Sequence, residues 1–287
     1  MIFNKIGIIP NEKKDFEFEN TEKLLKYLLN KNINIYFDEI YFGKFSGHGI
    51  NYINEDDLYK TCDIFIVLGG DGTILKAAAK ASVYKVPVIG INLGRIGFMS
   101  EIESDELYLL ENLFTGDFEI KNRMMLNVEV IKENGGITHA GMALNDAVVT
   151  YGTIAKLIEI DFVCDGVKIT NYRADGVIVA TPTGSTAYSM SAGGPIIDPN
   201  IECFCVTPIC PHSLMNRPLI FSPGSVLEII NKNINSEVYL TIDGQINIKL
   251  DENDRVKIRK SGFTTRLVKI KKHGFFDVVR AKISENF

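Results

Sequence analysis

The sequence predicts two domains: an α/β N-terminal domain built on a parallel sheet, and a β-rich C-terminal domain. Three observations carry this. A chain of 287 residues divides into one large or two modest domains. Up to about residue 124, short apolar runs alternate with stretches of helical spacing. Beyond that point many short strand-like segments follow one another, with turn residues between them. The expected limits are 1–124 for the α/β domain and 125–274 for the β-rich domain, with a helix at about 275–287 packing back on the first.

The elements follow in order. Lys5–Ile9 is a short apolar run stopped by Pro10. Glu17–Leu29 has apolar residues at Phe18, Leu24, Leu25, Leu28 and Leu29, which is helical spacing. Asn34–Phe37 reads as a strand, and Tyr41–Asn54 as a loop containing glycines. Asp63–Leu68 is a buried-type strand ending at Gly69-Gly70, followed by an Ala-rich helix over Ile74–Ala81 and a strand over Pro87–Ile91. In the second half, Leu126–Ile131 and Ile137–Ala140 flank Asn134-Gly135-Gly136, a hairpin signal. Further strands are expected at Val148–Thr150, Lys156–Val163, Val167–Ile169, Gly176–Ala180, Val226–Ile230, Glu237–Ile242 and Arg255–Lys260, and a helix over Phe275–Ile283.

Composition excludes several classes. Asp and Glu number 36 against 31 Lys and Arg, a net charge of −5 that argues against a general nucleic-acid binder. No apolar run approaches the ~20 residues of a membrane span. The N-terminal stretch turns charged after ten residues and has no small-residue cleavage site, so it does not read as a signal peptide. Five scattered cysteines fit a reducing cytoplasm better than a disulfide framework. Cys203, Cys205, Cys210 and His212 lack the usual zinc-ligand spacing, so no resident metal site is expected.

The sharpest motif is Gly69-Gly70-Asp71-Gly72-Thr73, between the strand ending at Leu68 and the Ala-rich helix. Glycines let backbone N–H groups approach an anion, and a helix N-terminus adds unpaired donors. Asp71 repels phosphate and so serves a different purpose, either accepting a hydroxyl proton or holding Mg²⁺ between phosphates. The competing reading is a tight turn in which Asp71 caps the helix. The spacing is neither a Walker A loop nor a dinucleotide fingerprint. Lys76, one turn on, either faces phosphates or is solvated. A second stretch, Asp175–Pro195, runs from a strand into a turn dense in Ser, Thr and Gly, which offers adaptable partners for sugar hydroxyls or a base edge, with Tyr188 as a stacking face. Asn145-Asp146 at a strand start suits the paired hydroxyls of a ribose, or is an ordinary turn. In Asn92–Phe98, Arg95 could pair with phosphate and Phe98 could wall a ring pocket, or both could be scaffold.

Together, GGDGT at 69–73, NLGRIGF at 92–98, LNDAVV at 144–149, DGVIVATPTGSTAYSMSAGGPIIDP at 175–199, TPICPHSLMNRPL at 207–219 and DGQ at 243–245 resemble the NAD kinases, which phosphorylate the adenosine-ribose 2′-hydroxyl of NAD. GGDGT alone is shared with lipid kinases and 6-phosphofructokinases; TPTGSTAYSMSAGGP in its company is far more specific. The resemblance implies the two-domain fold, NAD bound between the domains, and a homodimer or homotetramer whose neighbouring subunit completes the site. It implies Asp71 as general base, and Gly70, Gly72 and Thr73 in the phosphate loop with Arg95 and Phe98 nearby. It implies Asn145 and Asp146 as ribose contacts, and Thr186, Ala187, Tyr188 and Ser191 as adenine or nicotinamide contacts. Asp175 would reach across the subunit interface, and Asp243 would be a further pocket residue; Gly244 stands where some relatives have His. The substrates implied are NAD and ATP, or polyphosphate as donor, with Mg²⁺ carried on the phosphates, in a compact enzyme of bacterial type. A lipid kinase using the same loop and a non-catalytic NAD or NADP sensor are the alternatives.

Overall fold

The computed structural model describes residues 3–31, 33–45, 47, 49–94, 97–152, 157–213, 217–233, 237–272 and 274–284. The chain divides into one unit of residues 1–122 with 265–287 and a second of residues 123–264. The second crossing therefore falls at 264/265 and not at the expected 274/275. The cause is one long strand, Arg255–Lys269, which starts in the second unit and ends in the first.

In the first unit, β1 (Lys5–Ile9), β2 (Asn34–Asp38), β3 (Ile50–Ile53), β4 (Ile64–Gly69) and β5 (Val88–Asn92) form a parallel sheet in the order β5-β4-β1-β2-β3. The helices α1 (Glu19–Leu28), α2 (Glu55–Thr61) and α3 (Asp71–Tyr84) connect its strands. β4 is buried along its whole length, as a parallel strand covered on both faces must be. Ile6, Ile8, Ile35, Ile64, Ile66, Leu68, Ile89 and Ile91 share one core with Leu24, Leu25 and Leu28 of α1. Two expectations change here. Ile50–Ile53, expected to be loop, is an edge strand parallel to β2, with Ile50 opposite Ile35. α1 starts only at Glu19, because Glu17 and Phe18 hold left-handed φ angles of 48° and 58°.

The short β6 (Ile102–Glu103) pairs with β5, and α4 (Glu111–Thr115) follows. The second unit begins within β7 (Glu119–Ile131), which forms the expected hairpin with β8 (Ile137–Ala143). Its remaining strands are β9 (Asp146–Tyr151), β10 (Ile158–Cys164), β11 (Val167–Ala174), β12 (Gly176–Ala180), β13 (Phe204–Ile209), β14 (Leu219–Phe221), β15 (Leu227–Asn231), β16 (Val238–Ile242), β17 (Ile246–Leu250) and the first part of β18 (Arg255–Lys269). Six of them form an antiparallel sheet in the order β14-β13-β12-β9-β16-β17. Val149 of β9 and Val177 and Val179 of β12 bury against Ile160 and Phe162 of β10 and Leu227 of β15, so the six-stranded sheet shares a core with the neighbouring layer of this unit. A one-turn α5 (Tyr188–Ser191) follows β12. α6 (Phe275–Ser284) belongs to the first unit.

Candidate active site

The strand order fixes where a ligand can enter the first unit. From β1 the chain moves outward to β2 and β3, then returns to β4 on the other flank of β1. The crevice at the carboxyl ends of β1 and β4 is thus the switch point of the sheet, where open α/β folds bind ligands. The loop after β4 is Gly70 and the first turn of α3. The loop after β1 is Pro10–Asp15, held by Lys14 N–H and Asp15 N–H donating to Asn11 O, both at 2.9 Å. Buried Asp15 ties this loop to α1, accepting from Asn20 N at 2.9 Å, Thr21 N at 2.9 Å and Thr21 Oγ1 at 2.6 Å. The two loops touch: Asn11 Nδ2 donates to Thr73 Oγ1 at 2.6 Å. A Cβ on Gly70 would occupy the space of the Lys14 ammonium, and one on Gly94 would lie 3.8 Å from it. That cation is the tip of a flexible side chain and could move aside, so the contact does not by itself demand glycine; what it shows is that Lys14 brings an ammonium to the mouth of the glycine loop.

Asp71 opens α3, and the cap position is Gly70, which has no side chain. The carboxylate does not cap its own helix. Its Oδ2 accepts from Phe98 N at 2.8 Å and its Oδ1 from Met99 N at 3.1 Å. Half-exposed, with both oxygens fixed by amides of another loop, Asp71 keeps lone pairs available for an incoming hydroxyl. The Phe98 ring lies 6.3 Å from the Phe275 ring and 4.0 Å below the Lys282 ammonium, so α6 backs the loop that holds Asp71.

The second unit carries a separate cavity of about 400 Å³. β9 alternates: Ala147 and Val149 enter the core, while Asp146, Val148 and Thr150 line the cavity. Opposite, Asp243 takes a left-handed φ of 49° in the turn between β16 and β17. Its carboxylate accepts from Leu144 N at 2.8 Å, Asn145 N at 2.8 Å and Asp146 N at 3.0 Å. Asp243 thereby fixes the backbone that presents Asn145 and Asp146. From the other side, Thr181 Oγ1 donates to Leu144 O at 2.5 Å, and Gly184 lies so close to Asn145 that a Cβ would come within 2.7 Å of Asn145 Cα. Asp146 is only 6% exposed. Burial, and then the charge of Asp243, push its carboxyl up to about 7. Burial raises Asp243 as well, but its three amide donors pull it back. The amides thus keep the negative charge on Asp243, and Asp146 is the member that takes a proton.

These two regions carry the motifs of one family. The model described as the ATP-NAD kinase N-terminal domain matches residues 6–118, and that for the ATP-NAD kinase C-terminal domain matches residues 144–270. The chain belongs to the ATP-NAD kinase family. An NAD kinase of Thermoanaerobacter sp. (strain X514) is 40% identical over 282 residues, 98% of this chain and 99% of that protein. An NAD kinase of Geobacter sulfurreducens is 42% identical over 229 residues, covering 79% and 80%. Among solved structures, yeast NADH kinase complexed with NADH matches with a TM-score of 0.90 at 26% identity, over 99% of this chain and 88% of that one. An NAD kinase from Archaeoglobus fulgidus in complex with ATP matches with a TM-score of 0.73 at 27% identity, over 98% of each. The relatives and both models point to NAD kinases and not to the lipid kinases that share GGDGT.

Set against what the family resemblance implies, the chain brings some residues together and not others. Asn145, Asp146, Ala187, Tyr188 and Asp243 line the second-unit cavity, with Tyr188 45% exposed and free to stack. Thr186 is buried and its hydroxyl donates to Thr183 O at 3.2 Å, so its contribution there is to the turn that leads to Ala187. Ser191 is exposed and does not line that cavity. Asp175 lies at the far end of the strand pair: Gly176 stands opposite Thr150 while Ala180 stands opposite Asp146, roughly 13 Å along the strand. It is outside its own chain's cavity. Arg95 lies outside the described residues. Sequence reasoning missed Asn11, Lys14 and Thr241. The first two become legible only once β1 and β4 are known to be neighbours. Among the described residues no group of three His, Cys, Asp or Glu side chains could hold a metal ion.

Proposed function

We propose that the chain transfers the terminal phosphoryl group of ATP, or of another phosphoryl donor, to the adenosine-ribose 2′-hydroxyl of NAD, giving NADP. The observation that carries this is Asp71, a carboxylate at the start of α3 held by two amides, with the Lys14 ammonium against the preceding Gly70. Asp71 accepts the hydroxyl proton as the 2′-oxygen attacks phosphorus. A carboxylate is a weak base, but in a loose transition state nucleophile charge develops late, and positioning dominates. The N–H groups of the Gly70–Thr73 turn and Lys14 take the phosphate charge. Mg²⁺ arrives with the phosphates as part of the substrate. In the second unit, Asn145 and Asp146 take ribose hydroxyls, and Tyr188 and Ala187 flank a ring. Asp175 and Ser191, outside the cavity of their own chain, fit contacts made to a neighbouring subunit of a homodimer or homotetramer. Five unpaired cysteines suit a cytoplasmic enzyme. Among the described residues, no helix is long and apolar enough to cross a membrane. The test is NADP formation from NAD and Mg-ATP, read by a dehydrogenase that accepts only NADP. Tight NAD binding without product would replace the kinase by a binding protein.

A further inference from the structure

Ala187 and Tyr188, at the start of α5, form one wall of the second-unit cavity. α5 is a single turn, closed by Ala192 N–H donating to Tyr188 O at 3.0 Å. A lone turn has no cooperative stability of its own, so its orientation is set by what it rests on. Tyr188, Met190 and Ser191 are exposed, and only Ser189 of the turn is buried. The turn is therefore seated through a hydroxyl: Ser189 Oγ lies 2.9 Å from Thr207 Oγ1 of β13. The adjoining Ala192 adds a methyl to the apolar cluster beneath, so the hydroxyl pair is the directional contact. We propose that Ser189 and Thr207 are positioning residues for the dinucleotide: their hydroxyl pair holds α5 on β13 and so fixes the Tyr188 ring at the cavity wall. The inference rests on the kinase reading, under which NAD occupies that cavity.

The pair is closed off from solvent. Ser189 and Thr207 are both fully buried. Gly194 N–H donates to Ser189 O at 2.8 Å, and a Cβ on Gly194 would come within 2.3 Å of Ser189 Oγ and 2.8 Å of Thr207 Oγ1. Backbone thus lies directly over the two hydroxyls. Cys205 Sγ, 3.9 Å from the serine oxygen and 3.5 Å from the threonine oxygen, is the weaker partner for either. A hydroxyl that leaves its neighbour leaves it unsatisfied in the interior, so the two stay together. The pair also sits on the floor of the cavity. Thr207 stands opposite Ile178 of β12, Ile178 opposite Val148 of β9, and Val148 opposite Thr241 of β16. Residues directly opposite share a face, so Thr207 projects from the sheet face on which Val148 and Thr241 line the cavity. At about 4.8 Å between strands, it stands roughly 10 Å from Val148. Wall and floor are thereby tied to one sheet. Neither Ser189 nor Thr207 lines the cavity itself, so both act through the turn that carries Tyr188.

In calorimetry on the full chain, Thr207→Val removes the hydroxyl, keeps the branched shape and should weaken NAD binding about fivefold. Thr207→Ser, which keeps a hydroxyl, should restore most of that affinity. In the Tyr188→Ala background, Thr207→Val should change NAD affinity no further, because the ring through which it acts is gone. In the ligand-free protein, hydrogen exchange of the backbone amides of 188–194 should quicken about tenfold in Thr207→Val and stay slow in Thr207→Ser. Ser189→Ala, which deletes one oxygen and adds no bulk, repeats these measurements should Thr207→Val not fold. Unchanged NAD affinity in the folded variants, the same loss with and without Tyr188, unchanged exchange, or loss of the fold in both variants would overturn the inference. A parent protein that neither binds NAD nor forms NADP would sink the kinase reading instead, and quickened exchange alone would then uphold the anchor.

Discussion

Asp71 and Asp146 are the same side chain placed in opposite environments. Asp71 stands partly exposed in the first turn of α3, with an amide on each oxygen. The two amides hold the carboxylate in one direction. Asp146 is buried beside a second carboxylate, and the nearby amides are spent on that neighbour. Its charge is disfavoured until something brings hydrogen-bond donors, as the ribose diol of the proposed reaction would. On the proposed function, the contrast separates two ways of using an acid: one is held in place to take a proton, the other stays poised for a ligand to complete it.

The largest effect should come from breaking the first arrangement. Asp71→Asn keeps the shape and the contact to at least one amide but removes the proton acceptor, so turnover should fall roughly 100- to 10,000-fold while NAD affinity, read by calorimetry, stays put. Near-full turnover would reassign Asp71 to scaffolding. The second arrangement is broken by pH. Asp146 ordinarily titrates at 3.8, and in the folded chain at about 7. The folded form therefore holds the proton more tightly than the unfolded one. Stability is complete below 3.8, declines as pH rises, and is fully lowered above about 7. The difference corresponds to at most roughly 4 kcal/mol. Denaturant unfolding of the ligand-free protein should show this decline between pH 4 and 8, and Asp146→Asn should flatten it. Bound NAD should reverse it, because the diol donates to the charged form. A smaller effect belongs to Lys14. Lys14→Met leaves Asp71 and the second-unit cavity alone, so the KM for the phosphoryl donor should rise about tenfold with the KM for NAD unchanged.

The two regions also differed in how far the sequence revealed them. The GGDGT turn was legible because its signal is local: a buried strand, three glycines and a helix lie side by side in the chain. Asn145 and Asp146 were legible as an amide beside a carboxylate at a strand start. What Asp243 does was not, since its three amide contacts depend on the antiparallel register that sets Ile242 opposite Ala147. Lys14 was missed for the same reason, because only the return of the chain to the free flank of β1 carries Gly70 to it. β3 was missed because its residues are half-buried and interleaved with polar ones at the edge of the sheet. α2 was missed because it opens on three acidic residues, with Asn54 capping it through Asp57 N at 3.0 Å. Capping and edge pairing leave weak apolar patterns, so periodicity passes over them.

The same comparison can be sharpened by a change that touches neither carboxylate. Asp243 holds the Asp146 backbone from within the neighbouring turn, whereas the amides on Asp71 belong to a loop that needs backing of its own. That backing is α6, through Phe275 and Lys282 against the Phe98 ring. A cation over a partly exposed ring contributes about 0.5–1 kcal/mol, so Lys282→Ala should loosen the 97–99 loop only modestly. A carboxylate that wanders by a fraction of an ångström loses rate before it loses binding. The expected outcome is a two- to fivefold fall in kcat, roughly that same energy expressed as a rate, with the KM for NAD and the melting temperature close to those of the parent. Lys282→Arg, which keeps a cation over the ring, should restore most of the loss. An unchanged kcat for Lys282→Ala would mean that the Phe98 loop stands without this help from α6 and that Asp71 is held as locally as Asp146 is, and an equal fall for both variants would mean that the cation over the ring is not what holds the loop.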